Sequence, residues 1–305
     1  MNYVNFPLLN PFKFYPNVVG MGNKVHFDDT FAVARVRRWE VPARYKQKWQ
    51  KADTTPLQIE SSLAPNNLIL VDFFGATIKQ FTWNVVFTGT SYKIYETTFD
   101  VSDVAEGVYF LYQKVTLGGI TWRAISEEID IRVSWPDTAM VRYYNSYNDW
   151  DVAFTANGIQ FKFRCECGLT DFNPLNESTD FVDQTHDTKI LFGVPFREFK
   201  FSVGVEPGVA EWVPDLLNRI WLCDQVYVEE KQFAKKSGST GQVTRVKGYP
   251  LVGWAIDVVE AKNQFSLQMS DTTPLDQGLV IAYDIETDWF GPANTVNVLE
   301  VEENG

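Results

Sequence analysis

Residues 159–168 read IQFKFRCECG, an unbroken alternation that sets Ile159, Phe161, Phe163, Cys165 and Cys167 on one side of an extended chain. Gln160, Lys162, Arg164 and Glu166 fall on the other. A β-strand, with its side-chain period of two, turns that order into one apolar and one wet face. REFKFSVGV at 197–205 repeats the pattern, with Phe199, Phe201, Val203 and Val205 opposite Glu198, Lys200 and Ser202. Two such strands call for an antiparallel sheet buried on one face.

One segment is written in another period. From residue 212 the chain reads WVPDLLNRIWL, in which Trp212–Leu216–Ile220 and Val213–Leu217–Trp221 are i, i+4, i+8 rows and Asp215, Asn218 and Arg219 take the other side. Pro214 suits a first turn, where its missing N–H is not needed, and Asp215 complements the helix dipole. The spacing predicts a short helix near 213–222. About three turns are marginal alone, so the apolar face must brace a sheet. A polar strand, QVYVEEKQF, a turn, AKKSGSTG, and a strand in PLVGWAIDVVEAKN, with Val252, Trp254, Ile256 and Val258 in register, follow.

The preceding half reads as a β-sandwich-like domain over residues 30–135. Its candidate strands are 31–39, 67–74, 77–87, 92–99, 107–117 and 120–133, with Gly118-Gly119 supplying the positive φ of a hairpin. Ile129, Ile131 and Val133 alternate with Glu128, Asp130 and Arg132, which predicts a half-wet strand. The spacing suggests an immunoglobulin-like sandwich. Residues 1–29 form an extended arm, because Pro7, Pro11 and Pro16 interrupt Phe6, Phe12, Phe14 and Tyr15. That arm wraps over its own domain or docks on a neighbour. Residues 136–305 form a second antiparallel β-domain, braced by the helix and ending in the acidic VNVLEVEENG. The fold class is mainly β.

Catalytic patterns are scarce. With only His26 and His186, no G-x-S-x-G elbow and no Gly-rich phosphate loop before a helix, the sequence points to no enzyme and no cofactor. Cys165 and Cys167 read as small buried hydrophobes, since a zinc site would need two further ligands. The acidic stretch TDFNPLNESTDFVDQTHDTK, with Asp171, Glu177, Asp180, Asp183, His186 and Asp187, reads as a solvated loop and lacks calcium-loop spacing. Glu127-Glu128 and Glu229-Glu230 cannot flank one glycosidic bond, because neighbours in a strand face opposite ways. No stretch reaches the roughly 18 apolar residues of a membrane span. The opening has no secretory pattern, and three cysteines make no disulfide framework, which fits folding in a reducing cytoplasm.

Charge is unevenly placed. Residues 35–51, RVRRWEVPARYKQKWQK, carry seven basic residues and one Glu, a run of +6 that leaves −18 for the rest of a chain whose total is −12. The overall balance argues against a nucleic-acid coat. The run reads as a solvated strand face and turn, a docking patch for an acidic neighbouring subunit, or a single-strand platform on Trp39, Tyr45 and Trp49. As a docking patch, it makes Arg37, Arg38, Trp39, Tyr45, Lys48 and Trp49 interface residues, with Phe6, Phe12 and Phe14 of the arm as a second contact.

MVRYYNSYNDWDVAF, GIQFKFRCECG, EWVPDLLNRIWLCDQVYVEEKQF and GYPLVGWAIDVVEAKNQF follow the first β-module in that order. This pattern of segments, over about residues 105–265, resembles tail-associated and other virion structural proteins of phages and prophages of Bacteroidetes, crAss-like phages included. The resemblance implies a structural part of a tail, ring or fibre, made in the bacterial host cytoplasm and located in the virion. Its partners would be copies of itself and other virion proteins, and it carries over no catalytic residues. A carbohydrate- or receptor-binding β-sandwich module is the alternative.

Overall fold

The computed structural model describes residues 4–17, 45–117, 120–155, 158–182, 186, 188–204, 208–245 and 251–261. They belong to one compact unit, Met1–Lys262. The protein is mainly β, with one helix among the described residues.

The first half contains β1 (Val4–Asn5), β2 (Phe14–Asn17), β3 (Lys46–Gln50), β4 (Thr54–Ser61), β5 (Leu68–Asp72), β6 (Thr77–Phe81), β7 (Asn84–Thr88), β8 (Lys93–Asp100), β9 (Gly107–Leu117), β10 (Ile120–Ser126) and β11 (Glu128–Arg132). One sheet runs β1-β4-β8-β7, antiparallel throughout. In the other, β9 pairs with β5, β10 and β11, while β2 joins β10, β6 joins β5 and β3 joins β11. Leu57 and Phe99 of the first sheet meet Leu68, Leu70, Leu111, Ile129 and Ile131 of the second in one core, so the half is sandwich-like.

The strand expected at 31–39 lies outside the described residues; β3 and β4 had not been expected, and one expectation changes. β11, set inside the sheet between β9 and the parallel β3, is not half-wet: Ile129 and Ile131 lie in the core of the first half, and Glu128 and Asp130 on the other face are buried as well.

The second half contains β12 (Ala139–Tyr144), β13 (Phe161–Cys165), β14 (Cys167–Val182), β15 (Thr188–Val203), α1 (Trp212–Ile220), β16 (Gln225–Val228), β17 (Lys231–Lys235), β18 (Gln242–Arg245) and β19 (Val252–Glu260). The strands form one antiparallel sheet, β13-β12-β16-β17-β19-β15-β14, with β18 also on β19. Helix α1 lies on it as its two rows require. Val213, Leu216, Leu217, Ile220 and Trp221 are buried in one cluster with Phe161, Phe163, Phe201, Trp254 and Val258. Phe199 packs against that cluster while only partly buried.

The stretch read as an acidic loop is mostly strand. Cys167–Val182 pairs with Thr188–Val203 along its whole length, and β19 braces only Glu198–Val203. The outer ten residues of β14, Asn173–Val182, pair with no third strand among the described residues. At ~3.3 Å per residue this ribbon runs on for roughly 30 Å. Asp171, Glu177 and Asp180 sit on β14, whereas Asp183 and Asp187 lie outside the described residues. The sequence of this strand carries no period-two alternation of apolar residues, and Phe172 and Val182 on it are exposed.

The arm joins the halves. Leu9 is buried in the core of the second half and Phe12 and Phe14 in that of the first. Tyr143 Oη donates to the Leu9 carbonyl at 2.5 Å, and Asn10 exchanges two hydrogen bonds with the Gln58 backbone, at 2.7 and 3.0 Å. Of the two courses open to the arm, the described part wraps over its own chain.

Candidate functional site

The expected interface residues separate into three groups. Arg37, Arg38 and Trp39 lie outside the described residues. Phe12, Phe14, Tyr45 and Trp49 are buried in the chain's own core, and half-buried Phe6 stacks on Phe14 at 4.2 Å. As placed, these aromatics are not surface anchors: Phe12, Phe14 and Trp49 pack in the core of the first half, with Phe6 against it, and Tyr45 in that of the second, which corrects the reading from composition. Tyr45 Oη has no hydrogen-bond partner, and burial, with the charge of Glu166 second, holds its pKa well above the ordinary value.

Lys48 is the third case. Its Nζ pairs with Asp137 and, at 3.0 Å, with Glu166, and it lies 4.8 Å from the centroid of the Trp135 ring. Burial pushes the Lys48 pKa down, but the hydrogen bonds to the two carboxylates outweigh it and leave the pKa raised. Lys48 therefore ties β3 to the 133–138 connection and to the β13–β14 junction. It is an internal clasp and not a surface charge.

Surface chemistry collects elsewhere. A cleft of about 220 Å³ is lined by Glu60 of β4, Phe87 of β7, Tyr92 and Ile94 at the start of β8, and the segment from Asp149 to Ala153. Phe87 and Tyr92 have ring centroids 5.9 Å apart. Asp149 accepts from Thr155 N and Thr155 Oγ1, both at 2.8 Å, and Asp151 Oδ2 accepts from Leu9 N at 2.6 Å. Asp151 holds φ +62°, a strained region for a residue with a Cβ. Behind it the Gln58 amide donates to the Ala153 carbonyl at 3.2 Å and accepts from Ala153 N at 2.9 Å. Burial raises the Asp151 pKa, the Leu9 N–H and the Arg219 charge oppose this, and the Glu60 charge adds a little to it.

Sequence reading had not singled out these residues. They come from three separated segments, and the Asp149-Trp150-Asp151 triplet was the only local sign. Two other exposed aromatics stand out: Phe74, 90% exposed on the β5–β6 turn, and Tyr147, 92% exposed. Among the described residues no group of three or more His, Cys, Asp and Glu is arranged to hold a metal. No described helix is long and apolar enough to cross a membrane. No protein-family model, curated protein or solved structure matches the chain.

Proposed function

We propose that the chain is a phage virion structural protein, tail-associated, that works through protein–protein contacts in a symmetric assembly. The observation that carries the reading is the β14–β15 ribbon. A two-stranded ribbon is marginal alone and, among the described residues, its outer part has no third strand on either edge, so it suits completion by a neighbouring chain. The segment order that resembles virion proteins points the same way. The basic run supplies a second contact through Arg37 and Arg38, because Lys48 is engaged internally.

Size-exclusion chromatography with light scattering, at low and high salt, tests the assembly, and mass spectrometry of purified particles tests the location. The reading expects a salt-sensitive multimer that Arg37→Glu/Arg38→Glu weakens, and the protein among the particle components. A monomer at every concentration and salt, absent from particles, overturns it.

A further inference from the structure

Lys48 of β3 meets two carboxylates at once. Its Nζ contacts Asp137 Oδ2 and lies 3.0 Å from Glu166 Oε1, with the Trp135 indole beside it at 4.8 Å from the ring centroid. The second Glu166 oxygen, Oε2, is buried and has no hydrogen-bond partner among the described residues. One amine is thus in contact with a carboxyl carbon's oxygen on one side and with a carboxylate that still has an unused acceptor on the other. We propose that Lys48 and Asp137 condense into an isopeptide bond, with Glu166 carrying the proton.

The three groups are held together before any reaction. Parallel pairing of β3 with β11 sets Lys48 opposite Asp130. Asp137 sits in the turn from Trp135 to Thr138, where Pro136 suits the second position and Thr138 N donates to the Trp135 carbonyl at 3.2 Å. Arg164 Nη1 fixes that turn by donating to Thr138 Oγ1 at 3.0 Å, and Gly204 N donates to the Glu166 carbonyl at 3.2 Å. Well-oriented groups in contact react as though at about 10⁵–10⁸ M, and one turnover per chain is enough. The Lys48 and Glu166 side chains are 16% and 15% exposed, which keeps competing water from the amine, whereas Asp137 at 56% leaves the released water a way out.

The step balances without an added reagent. The resting pair is ammonium and carboxylate: the hydrogen bond from Lys48 holds the Asp137 pKa down, and the Lys48 pKa is raised. Removing a proton from that ammonium is therefore the costly event, and it is the one that needs Glu166. Glu166 takes the proton, and the freed nitrogen lone pair attacks Asp137 Cγ. The nitrogen of the adduct gives up a second proton, one Cγ–O bond breaks, and that oxygen leaves as water with both protons, so that Glu166 ends as the carboxylate it was. A neutral amide replaces the ion pair, and nothing is oxidised or reduced. The bond joins residues 89 apart and ties β3 to the connection between the halves, constraining the unfolded chain as a disulfide does.

Electrospray mass spectrometry of the full chain, denatured after purification, reads the bond directly. The expected mass is lower than that of the sequence by one water. After trypsin, peptide 47–51, uncut at Lys48, should be joined through that residue to peptide 133–142. Lys48→Arg and Asp137→Ala should show the full sequence mass. Glu166→Gln, which keeps the size of the side chain and loses the base, should form the link at least about a hundredfold more slowly when samples are taken through cell-free synthesis. A wild type at the full sequence mass, cut by trypsin at Lys48, has an ion pair only and ends the proposal, as does a missing water that maps to another pair of residues. A link formed as fast in Glu166→Gln takes Glu166 out of the reaction and overturns the mechanism. The wild-type mass and its peptides decide alone where the variants do not fold.

Discussion

Arg164 and Asp53 form a two-armed ion pair, Nε to Oδ2 at 2.5 Å and Nη2 to Oδ1 at 3.0 Å, although 111 residues separate them. Both side chains are nearly closed to solvent, at 8% and 11% exposure, and the pair fastens β13 to the turn between β3 and β4. Removing one partner leaves a buried charge alone. Arg164→Ala or Asp53→Ala should cost about 3–5 kcal/mol, and Arg164→Met/Asp53→Leu much less than the two singles combined. Urea denaturation of the four proteins measures the coupling. Additive losses would show that the pair is not a clasp.

Phe161, Phe163 and Phe201 are fully buried in the core beneath α1, and Phe199 only partly. Phe→Ala at any of the first three should cost about 3–5 kcal/mol. Phe199→Ala should cost distinctly less, which thermal unfolding of the set will read directly.

Gly204 ends β15 at φ +68°, and a Cβ there would come within 2.7 Å of the Val252 carbonyl oxygen and 2.8 Å of Val209 N. Both contacts are backbone and cannot swing away. Gly204→Ala should therefore destabilise by at least about 1–3 kcal/mol. A melting temperature equal to that of the wild type would contradict this close approach.

The three thiols should react in sequence. Cys165 and Cys223 are buried and Cys167 is half-buried. A hydrogen bond with Cys167, and then burial, pushes the Cys165 pKa well up, while burial, aided by Asp224, takes Cys223 to about 12. A thiol reagent at pH 8 should label Cys167 first and the other two only on denaturation. Rapid native labelling of Cys165 would end the core reading.

Glu96 is held with a raised pKa by burial, against which the Gln58 amide, donating at 3.0 Å, acts in the opposite direction. The folded protein thus keeps this proton to a higher pH than the unfolded chain does. Its contribution to stability is present below the ordinary carboxylate range and is lost as pH rises through the raised value. Glu96→Gln should melt higher than the wild type at pH 7–8, with the gap closing towards pH 4. A gap that stays constant with pH would place its cause elsewhere.

The strand periods of Phe161–Cys165 and Val252–Glu260, and the apolar rows of α1, could be read from the sequence because each element buries one face and the period records which. The same rule explains the misreadings. Residues 173–182 carry no apolar alternation and so looked like a loop, and Glu128 and Asp130 looked wet because a charged residue is normally outside.

The mainly β class, the helix and the faces that must be covered are written in local residue spacing. What covers them was decided only in the tertiary structure. Gln58 is buried in β4 because Asn10, Glu96 and Ala153, all distant in sequence, supply its hydrogen bonds. Tyr45 and Trp49, surface anchors by composition, are buried in the cores of the second and the first half respectively. The cleft likewise exists only where three separate segments meet. Periodicity is a local property of the chain, whereas the partners that satisfy a buried polar group, or bring carboxylates to an aromatic wall, are set by long-range packing.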